Sequence, residues 1–303
     1  MTRTRLAVVA LVAALLAGCG AVVRVAYNNA DYAARIAAHD WFDLHGEQSS
    51  LMRAHIEDFH AWHRREELPR YGRLFGSVAD RVARGLVRED VEWALASGRE
   101  RYQALAAQAA AELVPVLATF TPANYTALER KLAEGNDKLV KDYIAVDPAK
   151  RDRNRFKAIV NRFEDWTGPL NDEQEALIRT FVRAGADVTE ARLADRKRRQ
   201  RELLQLLETY RTSPELGPRL TAYLVNWENA RGPEYARLAR AREEQLIQLV
   251  LDIDRTLTSK QRAHAVTRFR AYADDWYMLA GQGRKEPPAG MKTAVPGAAA
   301  AGG

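Results

Sequence analysis

The chain of 303 residues has a single cysteine, Cys19, and no apolar run long enough to cross a membrane. One cysteine excludes an intramolecular disulfide, so the stability of the protein must come from apolar packing. The longest apolar run covers about eleven residues, well short of the roughly 20 that a membrane-spanning helix needs. The sequence also contains no Gly-rich phosphate loop, no nucleophile elbow and no Ser/His/Asp set. We therefore expect a non-enzymatic protein without a cofactor.

The first 18 residues have the three parts of a bacterial secretion signal. Two arginines open the segment, the apolar run follows, and two small residues precede the cysteine. The sequence Leu16-Ala17-Gly18-Cys19 resembles the bacterial lipobox, in which the cysteine thiol receives a diacylglycerol before the signal is cleaved. We expect residues 1–18 to be removed and Cys19 to anchor the mature chain to a membrane. A plain secretion signal that ends near a cysteine by chance is the alternative.

The residue after Cys19 predicts the destination of the anchored protein. By resemblance to other lipoproteins, Asp at the second mature position would retain the protein in the inner membrane. Gly20 occupies that position, so we expect the outer membrane, on its periplasmic face, with residues 19–26 as the lipidated N-terminus. Removal of two signal arginines from the net charge of +6 leaves +4. This mild positive charge suits anionic head groups or acidic partners, and we expect no nucleic-acid partner.

The remainder of the chain has the pattern of amphipathic helices. No stretch alternates apolar and polar residues with period two, and Gly and Pro lie between periodic segments. We expect an all-α fold, an elongated array of about nine or ten helices in antiparallel hairpins without disulfides. The helical domain is predicted over residues 27–280, with two halves that meet near 168–171 as one option. Residues 281–303 have the composition of a disordered tail.

Four predicted helix starts share one pattern. An apolar residue precedes the capping position, and a residue with a side-chain amide lies three residues after it. They lie at residues 44–48, 120–124, 170–174 and 257–261. In the last, Thr258 is placed to cap the helix and Gln261 to return a bond to the cap. At the first start the cap is His45, a poor capping residue.

The same pattern has a second interpretation. Leu257-Thr258-Ser259-Lys260-Gln261 resembles the Leu-Thr-x-x-Gln motif of small periplasmic stress chaperones of the Spy and CpxP kind. Residues 170–174 and 44–48 share only the Leu and the Gln of that motif. Helix capping explains these residues without a shared function.

Two segments carry a wider resemblance. Their characteristic residues are Tyr27, Asn28, Asn29, Asp31, Trp62, His63, Arg64, Glu67, Leu68, Pro69 and Tyr71. In this order behind a lipobox, they resemble a proteobacterial lipoprotein family known as domain of unknown function 6279, over about residues 20–280. The resemblance implies an all-helical envelope lipoprotein and brings no activity or binding site. From the residues alone, Asn28 is predicted to cap a helix, with Asp31 near its positive end.

His60, His63 and Glu67 are candidate metal ligands, because their spacing places them on one face of a helix. Two imidazoles and a carboxylate would suit zinc or copper. The spacing matches neither a metalloprotease helix nor a Cys/His framework. Surface or helix-end hydrogen bonds are the alternative role for these side chains.

A dense basic run is the second candidate site. Its members are Arg192, Arg196, Lys197, Arg198, Arg199 and Arg201. Such a run could bind lipid phosphates or an acidic partner. It could equally be a solvated helix surface, since these residues radiate around a helix and Glu190, Asp195 and Glu202 offset them in part.

The first functional hypothesis is a non-enzymatic outer-membrane lipoprotein that binds or scaffolds another envelope component. One alternative is a membrane-tethered chaperone for unfolded periplasmic clients. The other is a metal-binding protein that uses the face of His60, His63 and Glu67.

Overall fold

The computed structural model describes residues 20–185 and 187–281. The predicted signal peptide, the lipobox with Cys19 and residues 282–303 of the predicted tail lie outside the described residues. The described chain contains twelve α-helices: α1 (Gly20–Asn28), α2 (Ala30–Phe42), α3 (Glu47–Trp62), α4 (Leu68–Arg84), α5 (Arg88–Leu117), α6 (Pro122–Leu139), α7 (Pro148–Thr167), α8 (Asp172–Ala184), α9 (Thr189–Tyr210), α10 (Leu216–Val225), α11 (Pro233–Thr256) and α12 (Ser259–Gly281).

Two π-helical segments, His63–Glu67 and Val140–Ile144, continue their neighbouring helices without a break. Because the first segment joins α3 to α4, the described residues form eleven continuous helices and no strand. The predicted all-α fold is confirmed, with a helix count slightly above the nine or ten expected. Within the described residues, no helix is both long and apolar enough to cross a lipid bilayer.

Local hydrogen bonds explain three of the four predicted helix starts. At the start of α8, Asn171 Oδ1 accepts from Gln174 N at 2.9 Å, and Gln174 Oε1 accepts from Asn171 N at 3.0 Å. Thr258 and Gln261 make the same reciprocal pair at the start of α12. At the start of α6, the side chain of Asn124 accepts from the Thr121 backbone N–H at 2.7 Å. These bonds satisfy donors that a helix N-terminus otherwise leaves unpaired.

The amide side chains of these starts also join distant helices in pairs. In the Gln174–Gln261 pair, each Nε2 donates to the other Oε1, at 3.0 and 2.9 Å. The two Nε2 groups also donate to the carbonyls of Thr256 and Pro169. The Gln48–Asn124 pair is built in the same way between α3 and α6, with Gln48 Nε2 donating to Asn124 Oδ1 at 3.1 Å. The predicted division near 168–171 falls between the two pairs, although it stays a prediction.

Each amide pair adjoins its own apolar cluster. Leu44 and Phe120, which precede the helices of the Gln48–Asn124 pair, belong to a cluster formed by α3, α5, α6, α9 and α10. Leu170 and Leu257 pack against the cluster beside the Gln174–Gln261 pair. The apolar residue that precedes each start is therefore part of the core, as the repeated pattern predicts.

The last helix closes the fold against the first part of the chain. The most extensive contact between two helices is that of α12 with α4, and α12 also contacts α1. A Cβ on Gly72 of α4 would lie 2.7 Å from the ring of Tyr277. Glycine thus allows the Tyr277 ring to lie directly on the α4 backbone. This closure is a long-range feature that the helical pattern alone did not predict.

Candidate functional site at the docked N-terminal helix

The first described helix, α1, is fixed onto the body of the protein by its apolar side. Val23 is fully buried and Tyr27 is 8% exposed, in a cluster with Leu68, Tyr272 and Leu279. On the neighbouring side, Arg24 makes an ion pair with Asp275 of α12 at 3.2 Å. Val23, which is buried in this contact, lies four residues after Cys19 in the sequence.

Tyr27 is the centre of a polar cluster between α1 and the end of α3. Its hydroxyl lies 2.9 Å from His63 Nδ1, and its carbonyl accepts from His60 Nε2 at 3.1 Å. The guanidinium of Arg64 lies over the Tyr27 ring at 4.8 Å. Arg64 also donates to Asn28 Oδ1 and to the Leu279 carbonyl, each at 2.9 Å. These bonds bring together the two segments that carry the family resemblance.

The π-helical segment His63–Glu67 supplies half of this cluster. Leu68 N–H donates to the His63 carbonyl five residues earlier, so this turn contains one residue more than an α-helical turn. At its end, the fully buried Glu67 accepts from Arg70 Nη1 at 2.6 Å and from Arg101 Nη1 at 3.2 Å. Two arginines therefore neutralise a carboxylate that would otherwise be costly to bury.

Burial sets the protonation states in the cluster. It lowers the pKa of His63 to about 4, an effect that the positive charges of His60 and Arg64 strengthen. It raises the pKa of Tyr71 to about 12, with Glu67 adding to the shift, and it raises the pKa of Tyr27 well above its ordinary value. At neutral pH His63 is neutral and both tyrosines are protonated. These states suit hydrogen bonds that hold helices together.

The two predictions for this region, on Asn28 and Asp31, have different outcomes. Asn28 does not cap a helix, because it is the last residue of α1 and its side chain accepts from Arg64. Asn29 precedes α2, but its amide bonds backward to the Val25 carbonyl at 2.7 Å. Asp31 lies in the first turn of α2 as expected, with Arg35 at 3.5 Å.

The three proposed metal ligands do not converge in the described structure. Glu67 is held by two arginines, whereas His60 and His63 both contact Tyr27. The π-helical turn and the packing of α1 direct the three side chains to different partners, so the face that the spacing suggested does not form a set of ligands.

Half of the basic run is engaged within the fold. Arg196 donates to Asn136 at 2.9 Å, Arg198 pairs with Asp195 at 2.7 Å, and Arg199 donates to the Tyr223 carbonyl at 2.9 Å. The other three members, Arg192, Lys197 and Arg201, are exposed. The run therefore does not form one binding surface, because its arginines attach α9 to α6 and α10.

An open cleft of about 600 Å³ lies between α2 and α3. Ile36, Leu44 and Met52 contribute its apolar part, and Arg35 and Arg53 contribute positive charge. Its volume is within the range of small-ligand sites, and an apolar surface with a few polar groups is typical of them. No feature of the sequence pattern indicated this cleft, since its two walls come from different helices.

Comparison with known proteins identifies the family. No curated protein and no solved structure matches the chain. The sequence profile of a family of unknown function, DUF6279, matches residues 40–236, which is more than half of the chain. The matched region includes the π-helical segment, both members of the Gln48–Asn124 pair and the basic run. The protein therefore belongs to this family of unknown function.

Proposed function

We propose that this protein is a lipid-anchored lipoprotein of the bacterial outer membrane whose helical body binds another envelope component without catalysing a reaction. The observation that carries the proposal is that α1 is docked onto α4 and α12 through Val23 and Tyr27, a few residues after Cys19 in the sequence. An acyl group on Cys19, four residues before the buried Val23, would hold the body close to the head groups.

The outer side of α1 and the adjoining end of α12 support a position at a membrane surface. Val25 of α1 is 64% exposed, and Tyr32 in the first turn of α2 is 60% exposed. Met278 is also exposed, and its sulfur lies 3.0 Å from Arg24 Nη1, so α1 and the end of α12 form a continuous surface. Apolar and tyrosine side chains are favoured at the boundary between head groups and acyl chains.

Substitution of Cys19 by serine tests the anchor. We expect Cys19→Ser to abolish metabolic labelling with palmitate and to move the protein from the membrane to the soluble fraction. We expect Gly20→Asp, which retains the cysteine, to keep the label and to shift the protein to inner-membrane fractions. A Cys19→Ser protein that still carries the label or remains in the membrane fraction would refute the proposed anchor.

The cleft between α2 and α3 is the proposed binding surface. A photoreactive residue at Ser50 or Arg53, which both line the cleft, should capture one reproducible envelope component in intact cells. The same residue at the exposed Lys197 is the matched control and should not capture it. Equal capture from all three positions, or no reproducible capture from the cleft, would refute a binding role for this surface.

A further inference from the structure

We propose that His55, Asp58 and Glu112 form a binding site for one divalent transition-metal ion. These residues lie on a different side of α3 from the histidines that contact Tyr27. His55 and Asp58 are three residues apart on α3, and Glu112 faces them from α5. Each can place one ligand atom so that all three atoms lie within 4.8 Å of one another.

The distances between these side chains fit a metal after small rotations. His55 Nδ1 lies 2.8 Å from Glu112 Oε2. Tetrahedral zinc with bonds of about 2.0–2.2 Å holds its ligand atoms about 3.3–3.6 Å apart. The His55 and Glu112 atoms therefore have to move apart by about 0.5 Å. The Asp58 carboxylate has to approach them, and its side chain is exposed and can rotate.

The charge balance at this position differs from that at the buried carboxylates of the same protein. Glu67, Asp90 and Asp254 are each paired with arginine. Among the described residues, neither Glu112 nor Asp58 has an ion pair with lysine or arginine, although Glu112 is only 19% exposed. A divalent cation would supply positive charge to these two carboxylates.

A second hydrogen bond holds the Glu112 carboxylate in place. Gln108 Nε2 donates to Glu112 Oε1 at 2.7 Å, which leaves Oε2 directed towards His55. Carboxylates that bind metals are commonly oriented by such an outer hydrogen bond. One imidazole and two carboxylates, without a thiolate, are ligands for zinc or Cu(II) in preference to softer ions. The fourth position would be taken by water.

Zinc titration of the mature chain tests the site. The chain from residue 19 onward, with Cys19→Ser to remove the thiol and without an affinity tag, would be freed of metal with a chelator. Isothermal titration calorimetry should then show one zinc ion per chain. Glu112→Gln and Asp58→Asn, which preserve side-chain size, should each weaken zinc affinity by about 100-fold, since each removes a ligand charge.

Two histidine variants serve as controls. His45→Ala removes an exposed histidine outside the site, and His60→Ala removes one of the ligands suggested by the sequence; neither should change zinc affinity. Circular dichroism of every variant would establish that the helices are intact. The proposal would be overturned by the absence of saturable zinc binding, or by binding that Glu112→Gln and Asp58→Asn leave unchanged.

Discussion

Replacement of Gln174 by leucine should lower the free energy of unfolding by about 4 kcal/mol. Gln174 is fully buried, and its side chain takes part in four hydrogen bonds. Two of them join it to Gln261, one to the Asn171 N–H and one to the Thr256 carbonyl. Leucine has a similar size and makes none of these bonds.

The magnitude follows from what the substitution leaves behind. A hydrogen bond contributes about 0.5–1.5 kcal/mol net, so four contribute about 4 kcal/mol. Asn171 is exposed, so water can reach its N–H, whereas the carbonyl of the half-buried Thr256 would lose its side-chain partner at a further cost of about 1–2 kcal/mol. Burial of the apolar leucine side chain offsets about 1–2 kcal/mol of this cost. The Gln261 side chain is not left without partners by this substitution, because it keeps its bonds to Thr258 and Pro169.

The Gln48–Asn124 pair provides a matched comparison within the same chain. Gln48 is only half-buried, and Asn124 keeps its bonds to the carbonyls of Phe42 and Asp43 when Gln48 is removed. Water can reach the groups that Gln48→Leu leaves unpaired. This substitution should therefore cost only about 1–2 kcal/mol.

Urea unfolding followed by circular dichroism measures both variants. The double variant Gln174→Leu/Gln261→Leu should be more stable than the sum of the two single effects by at least about 1 kcal/mol, because the second substitution removes a partner already lost. A cost below about 1 kcal/mol for Gln174→Leu, or equal costs for Gln174→Leu and Gln48→Leu, would contradict the assigned role of the buried pair.

Two further predictions concern the closure of the fold and its dependence on pH. Gly76→Ala, with open space around its Cβ, should stabilise α4 by about 0.5–1 kcal/mol. Gly72→Ala has the same gain in helix propensity, but its Cβ would lie 2.7 Å from the half-exposed Tyr277 ring and displace it, so this variant should be less stable than Gly76→Ala by about 1–2 kcal/mol. Equal effects in urea unfolding would exclude the close contact. Burial lowers the pKa of His63 to about 4, whereas the pKa of histidine in the unfolded chain is about 6.5. As the pH falls, the unfolded state therefore binds the proton first, and the free energy of unfolding should fall by about 1–2 kcal/mol between pH 7 and pH 5. Unfolding of His63→Gln at both pH values should show a smaller fall, and an unchanged pH dependence would contradict the buried neutral state of His63.

The residues of the Leu-Thr-x-x-Gln motif both cap a helix and join two helices. Gln261 caps its own helix, as the spacing predicts, but its amide also pairs with Gln174. The capping residues thus have a structural function in this fold. The tethered-chaperone alternative stays a prediction, because helix capping accounts for the motif without a shared function.

For the basic run, the sequence did not predict which groups the side chains contact. Its charge density was evident from the sequence, and its helical context was correct. Its partners, such as Asn136 sixty residues earlier, lie on other helices. The sequence shows the same arginine whether its side chain binds a lipid phosphate or an amide of another helix. Only the packing of α9 distinguishes these two roles.

The sequence by itself determined the helical class and three of the four capped helix starts, while lipid attachment at Cys19 stays a prediction. These features depend on neighbouring residues, whose spacing is directly visible along the chain. The tertiary structure decided which polar groups meet: Gln174 with Gln261 across 87 residues, and His55 with Glu112 across 57. Such pairs depend on the rotation and axial offset of packed helices, which the apolar period of each helix does not specify.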